Sequence, residues 1–160
     1  MLGNLLSDMD GVGLIILRNF NDKDADILKK YLYQELSLGE IKNMIKEWEK
    51  REYFQKYFEM FAIISKDIVG TVSLSEHSKS VISCGIEVFS EFKRSGIGKE
   101  AMMLAMDIAK EKGYKIVLDQ VRVDNAASVA LHYALGFESD NYVYINKRGR
   151  EVNIFLKPLW

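Results

Sequence analysis

The spacing of apolar residues changes period several times along the chain, and each change marks an element. The run 12–18, with Val12, Ile15 and Ile16, is apolar, β-branched and of strand length, and predicts a first strand. Asn21 or Asp22 then caps a helix whose stripe is Ile27, Leu28, Tyr31 and Leu32. A second helix starts at Ser37-Leu38-Gly39-Glu40, a capping box in which the Ser and Glu side chains each satisfy a backbone N–H the helix cannot pair. Its buried face is Ile41, Met44, Ile45 and Trp48. Residues 61–64 and 68–74 flank the short polar break Ser65-Lys66-Asp67 and predict a hairpin, and 81–89 a further strand. From Ile97 the period becomes helical, with Ala101, Leu104, Ala105, Ile108 and Ala109 on one face and Gly113 as a left-handed stop. A strand at 116–121, a helix at 125–135 closed by Gly136, and a hairpin of 142–146 with 152–156 complete the chain. The order β-α-α-β-β-β-α-β-α-β-β predicts an α/β (α+β) fold with one mixed sheet of about seven strands and helices on both faces.

Composition narrows this without changing it. At 160 residues, 48% hydrophobic and 28% charged, with one proline, the chain reads as a single domain over 1–160, with 1–11 as a loose lead. Lys+Arg of 22 against Asp+Glu of 23 leaves a net charge of -1, so no global field favours nucleic acid or an anionic membrane. The single Cys84 excludes an internal disulfide and a thiolate zinc site, and no run reaches the roughly 18 to 20 apolar residues of a membrane span. The expectation is a cytoplasmic, metal-free protein without nucleic-acid or membrane partners, monomeric or homodimeric.

Candidate chemistry begins where the strand 81–89 turns into the 97–111 helix, through Lys93-Arg94-Ser95-Gly96-Ile97-Gly98-Lys99. A helix N-terminus presents unpaired N–H groups and partial positive charge, and glycines let the backbone approach a phosphate. Lys93, Arg94 and Lys99 add three cations. The Walker ending is absent, and no third glycine completes a dinucleotide fingerprint.

About thirty residues on lies Asn125-Ala126-Ala127-Ser128-Val129-Ala130-Leu131-His132-Tyr133-Ala134-Leu135-Gly136-Phe137. Together with the glycine turn, Ile68-Val69-Gly70 and the element order, this resembles the GNAT superfamily of N-acetyltransferases over roughly residues 12 to 157. The resemblance implies two central strands that splay, with the pantetheine arm of acetyl-CoA between them. It implies backbone pairing from Glu87, Val88 and Phe89, with Val88 foremost. Lys93, Arg94, Ser95, Gly96, Ile97, Gly98 and Lys99 would hold the pyrophosphate. Asn125 would reach the pantetheine arm, while serving equally as a helix N-cap.

Two departures from the family pattern stand out. Lys93 occupies a place usually held by Gln or Arg. The usual tyrosine that donates toward the departing sulfur is replaced by His132, with Tyr133 one residue later. Consecutive helical residues diverge by about 100°, so only one of the two can face the thioester. A neutral imidazole N–H suits that role, with local packing as the alternative. Glu87 is the candidate base, directly or through water, and Asp119 a lesser candidate for acceptor binding. Cys84 reads as a small buried residue, the methionines Met102, Met103 and Met106 as packing, and His77 as a solvated loop residue. The aromatics Tyr53, Phe54, Tyr57, Phe58 and Phe61 are mainly core, with one or two shaping an acceptor pocket. The implied function is transfer of an acetyl group from acetyl-CoA to a primary amine of a small molecule or peptide, in a ternary complex. The alternative is a catalytically silent acyl-CoA-binding regulatory module.

Overall fold

The computed structural model describes residues 14–160; the proposed loose lead and the first two residues of the expected first strand, Val12 and Gly13, lie outside them. Strand β1 (Ile16–Asn19) leads through a 3-10 turn (Asp22–Asp24) into α1 (Ala25–Tyr31) and α2 (Leu38–Glu49). There follow β2 (Glu52–Tyr53), β3 (Lys56–Ser65), β4 (Asp67–Ser78), β5 (Val81–Val88), α3 (Ile97–Glu111) and β6 (Ile116–Arg122). The chain closes with α4 (Ala126–Ala134), β7 (Glu138–Ser139), β8 (Tyr144–Ile145) and β9 (Glu151–Pro158). The strands form one mixed sheet in the order β1-β3-β4-β5-β6-β9-β7, with β2 on β3 and β8 on β9. All neighbours are antiparallel except β5 and β6, which run parallel because α3 crosses between them.

Alternation along the strands sorts residues between two helical layers. Phe61 and Ile63 of β3 point to the layer of α3, where Val72, Leu74, Ile82, Val117 and Phe155 meet Ala101, Met102 and Ala105. Ala62 points the other way, toward Leu28 of α1 and Ile41 and Ile45 of α2. The Ser37–Glu40 capping box is present, as both side chains bond the opposite backbone N–H. Asn21 caps the 3-10 turn in the same reciprocal manner with Asp24, whose carboxylate also pairs with Arg18 at 2.7 Å.

The sheet has nine strands rather than about seven. The extra ones, β2 and β7, are two residues long. The expected strand 142–146 shrinks to β8, because Asn141 takes a left-handed φ of 61° and the Tyr142 N–H bonds the Asp140 side chain, so the chain loops out of register. His77 is not in a loop: it lies in the last residues of β4, and its exposed ring bonds Ser83. Of the three helical methionines, Met102 and Met106 are buried and Met103 is exposed. Phe61 is core, whereas Tyr53 and Phe54 are exposed, and Phe58 pairs with Ser75 toward the end of β4 remote from Gly70. None of the five aromatics lines the cavities described below. Among the described residues no helix is long and apolar enough to cross a membrane.

Candidate active site

The site is built on an interrupted ladder. β5 and β6 pair only at Val81↔Ile116 and Ile82↔Val117, and the Ile116 N–H donates to the Ser80 carbonyl at 3.1 Å. Continued in this register, the next rung would join the Cys84 N–H to the Leu118 carbonyl. Instead Cys84 donates to Oδ1 of Asp119 at 2.8 Å, and the Leu118 carbonyl accepts from the Ser83 hydroxyl at 2.6 Å. Beyond that point the two strands are unpaired with one another.

The β5 edge facing this gap presents backbone polar groups. Phe89 N–H donates to the Val69 carbonyl at 2.8 Å, which makes Gly70↔Val88 a non-hydrogen-bonded pair. The Val88 N–H and C=O therefore face away from β4, into the gap, and two residues earlier those of Ile86 do the same. Phe89 itself is committed to β4 and stacks on Tyr31 at 4.3 Å.

Past Val88 the chain makes a 3-10 turn (Ser90–Phe92) and the glycine turn. The Ser95 hydroxyl donates to the Phe92 carbonyl at 2.6 Å, Arg94 has φ 64°, and Gly96, at φ 81°, stands at the N-cap of α3. Glycine there tolerates the left-handed backbone and leaves the first N–H groups of α3 without a side-chain cap. They open on a cleft of about 490 Å³ lined by Ile86, Glu87 and Val88 of β5, by Lys93, Arg94 and residues 96–99, and by Asn125, Ala127, Ser128 and Leu131 at the start of α4. Among the described residues none of Lys93, Arg94 and Lys99 pairs with a carboxylate. The Asn125 side chain caps α4 by accepting from the Ser128 N–H at 3.1 Å.

A second cavity, about 450 Å³, runs through the gap. Ser83, Gly85 and Gln120 line it from one face of the sheet, and Cys84, Asp119, Val121 and His132 from the other, with His77 at the rim. The two cavities share Ile86 and Ser128, so the cleft on the α3 side adjoins the cavity that reaches the opposite face.

His132 is buried beside this passage, between the rings of Phe137 and Phe155. Its Nε2 lies 2.9 Å from Asp119 Oδ2 and its Nδ1 2.7 Å from the Ser128 carbonyl oxygen. Both neighbours accept, so both ring nitrogens donate and the imidazole is held protonated. Burial alone would push its titration down, but the bonds to Asp119 and to the Ser128 carbonyl, with the Asp119 charge, outweigh burial and raise it. Tyr133 faces elsewhere: half exposed, it donates to Asn141 at 2.8 Å with its ring edge on Phe155. Glu87 is exposed and, by alternation with Ile86 and Val88, points from the face opposite α3. On that side Tyr33 titrates higher than usual through burial first, then the charges of Glu35 and Glu87. Burial, and secondarily Asp119, pushes the Cys84 thiol well up.

The acetyltransferase (GNAT) family model matches residues 25–137, most of the chain and all of the elements just described from α1 to Phe137. The chain belongs to the GNAT acetyltransferase family. It is an acyl-CoA-dependent N-acetyltransferase by that membership. No curated protein sequence matches this GNAT chain significantly. Among solved structures it resembles the microcin C7 self-immunity acetyltransferase MccE, in complex with acetyl-CoA and AMP, with TM-score 0.77 and 20% identity over 90% of this chain and 92% of that one. It also resembles a spermidine N-acetyltransferase from Vibrio cholerae, solved as a dodecamer, with TM-score 0.73 and 15% identity over 91% and 94%. A third likeness is an acetyltransferase from Salmonella typhimurium that modifies the N-terminal serine of ribosomal protein L7/L12, with TM-score 0.72 and 19% identity over 91% and 95%. These likenesses carry the GNAT fold.

The sequence-derived residues fall into three places. The turn 93–99, Val88 and Asn125 surround one cleft; Glu87 borders that cleft while alternation along β5 turns its side chain to the opposite face; His132 lines the passage while Tyr133 leaves it. Sequence reasoning missed Ser83 as a gap residue and the partnership of Asp119 with His132. A signal existed for Asp119, an acidic residue on a face otherwise formed by Val117 and Val121 of a buried strand, which demands a partner.

Proposed function

We propose that this GNAT protein moves the acetyl group of acetyl-CoA directly onto a primary amine, with donor and acceptor bound together. The observation that carries this is the cavity in the β5–β6 gap, lined from both faces of the sheet, which adjoins a phosphate-suited cleft on the α3 face. Amide groups of Ile97, Gly98 and Lys99, with Lys93, Arg94 and Lys99 side chains, receive the diphosphate. The outward backbone groups of Ile86 and Val88 pair the pantetheine arm as a further strand would. Asn125 holds the start of α4 against that arm.

The thioester then lies at the passage, where an amine arriving from the Glu87 face attacks its carbonyl carbon. An acceptor that enters as an ammonium ion first gives one proton through water to Glu87 and on to solvent. The free amine then forms the C–N bond, the C–S bond breaks with its electron pair on sulfur, and the second nitrogen proton reaches that sulfur through solvent. Glu35 and Glu87 near Tyr33 give the approach a negative character, suited to an acceptor that enters as an ammonium ion. His132 acts by position, since both of its N–H groups are already donated.

That commitment of His132, with Tyr133 turned away, favours one second reading: a module that binds acyl-CoA without turnover. Thiol release from acetyl-CoA, followed over polyamines, aminoglycosides, amino acids and N-terminal peptides, separates the two. Amine-dependent release supports transfer; tight CoA binding with no release for any amine supports the silent module.

A further inference from the structure

The rung missing between β5 and β6 is not simply absent; two side chains take both of its backbone groups. Ser83 supplies the donor that the Leu118 carbonyl would have found in Cys84, and Asp119 the acceptor that the Cys84 N–H would have found in Leu118. Each is backed by a histidine. Nε2 of His77 sits 2.5 Å from Ser83 Oγ, and since that hydroxyl already donates to Leu118, the imidazole is the donor. His132 donates to the second oxygen of Asp119. Asp119 and His132 are both buried, and no buried side-chain polar atom among the described residues lacks a partner, so the arrangement is satisfied.

Two unpaired parallel strands would otherwise gain by zipping together. Each further rung satisfies a backbone donor and acceptor that the gap leaves to solvent or to a ligand. Ending the ladder at Ile82↔Val117 therefore needs a device that caps the last rung and spaces the strands by the length of an interposed side chain. We propose that Ser83 and Asp119, held by His77 and His132, are this stop, and that they act as positioning residues which keep the Ile86 and Val88 backbone groups available to the pantetheine arm of acyl-CoA. The inference rests on reading the gap as the acyl-CoA site.

A pair of ligands tests it: CoA, and adenosine 3′-phosphate 5′-diphosphate, which keeps the phosphates and lacks pantetheine. With Asp119→Ala the CoA Kd rises at least tenfold while that of the fragment is unchanged, because the glycine turn does not depend on the stop. Asp119→Asn keeps an acceptor for the Cys84 N–H and restores most of the CoA affinity. Ser83→Ala, which removes only the partner of Leu118, gives a several-fold loss confined to CoA and serves if Asp119→Ala does not fold. Equal losses for both ligands, or an unchanged CoA Kd in folded variants, overturn the proposal. Failure of the underlying reading looks different, as the wild-type protein would then bind neither ligand or bind CoA no more tightly than the fragment, the pantetheine adding nothing.

Discussion

Gly70 of β4 and Glu87 of β5 approach so closely that a methyl group on Gly70 would run into the Glu87 carbonyl oxygen and stand 3.0 Å from the Val88 Cα. Both neighbours are backbone, so neither can swing aside. Gly70→Ala must push β5 toward the gap at the residues offered to pantetheine. The expected outcome is a stability loss of about 1–3 kcal/mol, on the scale of overpacking, with a raised KM for acetyl-CoA. Urea denaturation and initial rates check both.

Gly98 behaves differently. A methyl there meets Ile86, Val88 and Leu131 at 3.6, 3.6 and 3.7 Å, ordinary contact distances, so the fold leaves room for it. Replacing a helical glycine by alanine then stabilises by about 0.5–1 kcal/mol. The same methyl lines the cleft where a diphosphate must touch the backbone. Gly98→Ala is therefore expected to raise the melting temperature while weakening acetyl-CoA binding, seen by calorimetry on one preparation.

The raised titration of His132 makes stability depend on pH in a defined direction. Its stabilising contribution is complete below the ordinary value of 6.5 and is lost as pH rises through the higher folded value, when one ring nitrogen must face an acceptor without a proton. Asp119 is the charged group on it; the other neighbours are Phe137, Phe155 and Ser128. The stability difference between wild type and His132→Gln should shrink above pH 6.5, by at most about 1.4 kcal/mol per pH unit. A difference that grows with pH contradicts the protonated pair.

Cys84 lines the passage yet is buried, and its thiol is held protonated by that burial and by Asp119. Transfer without an acyl-enzyme predicts that Cys84→Ala keeps turnover within about one order of magnitude, the loss a packing defect brings. Loss of several orders with an intact fold, or mass-spectrometric detection of an acetylated Cys84, would indicate a covalent route.

Legibility from sequence followed locality. The Ser37–Glu40 box, the Gly113 and Gly136 stops and the glycine turn are set by neighbours within a few residues, and all lie where the pattern places them. The two-residue strands β2 and β7 are too short to carry a period: β2 folds straight back on the start of β3 through Phe54 and Gln55, left-handed residues with no glycine to signal a turn, and β7 depends on β9 further along the chain. The same holds for the site. The cleft follows from one turn and one helix, whereas the bonds of Ser83 to Leu118 and of Cys84 to Asp119 each span 35 residues of sequence. His132 was visible as a departure from the family pattern, but its meaning required the partner on β6.

A structure of the protein with acetyl-CoA bound is the most direct measurement. The account predicts the diphosphate on the N–H groups of Ile97, Gly98 and Lys99, the pantetheine paired with Ile86 and Val88 between β5 and β6, and the thioester at the passage between the two cavities. Acetyl-CoA bound away from the glycine turn, or a closed β5–β6 ladder with the pantetheine outside the sheet, would contradict it.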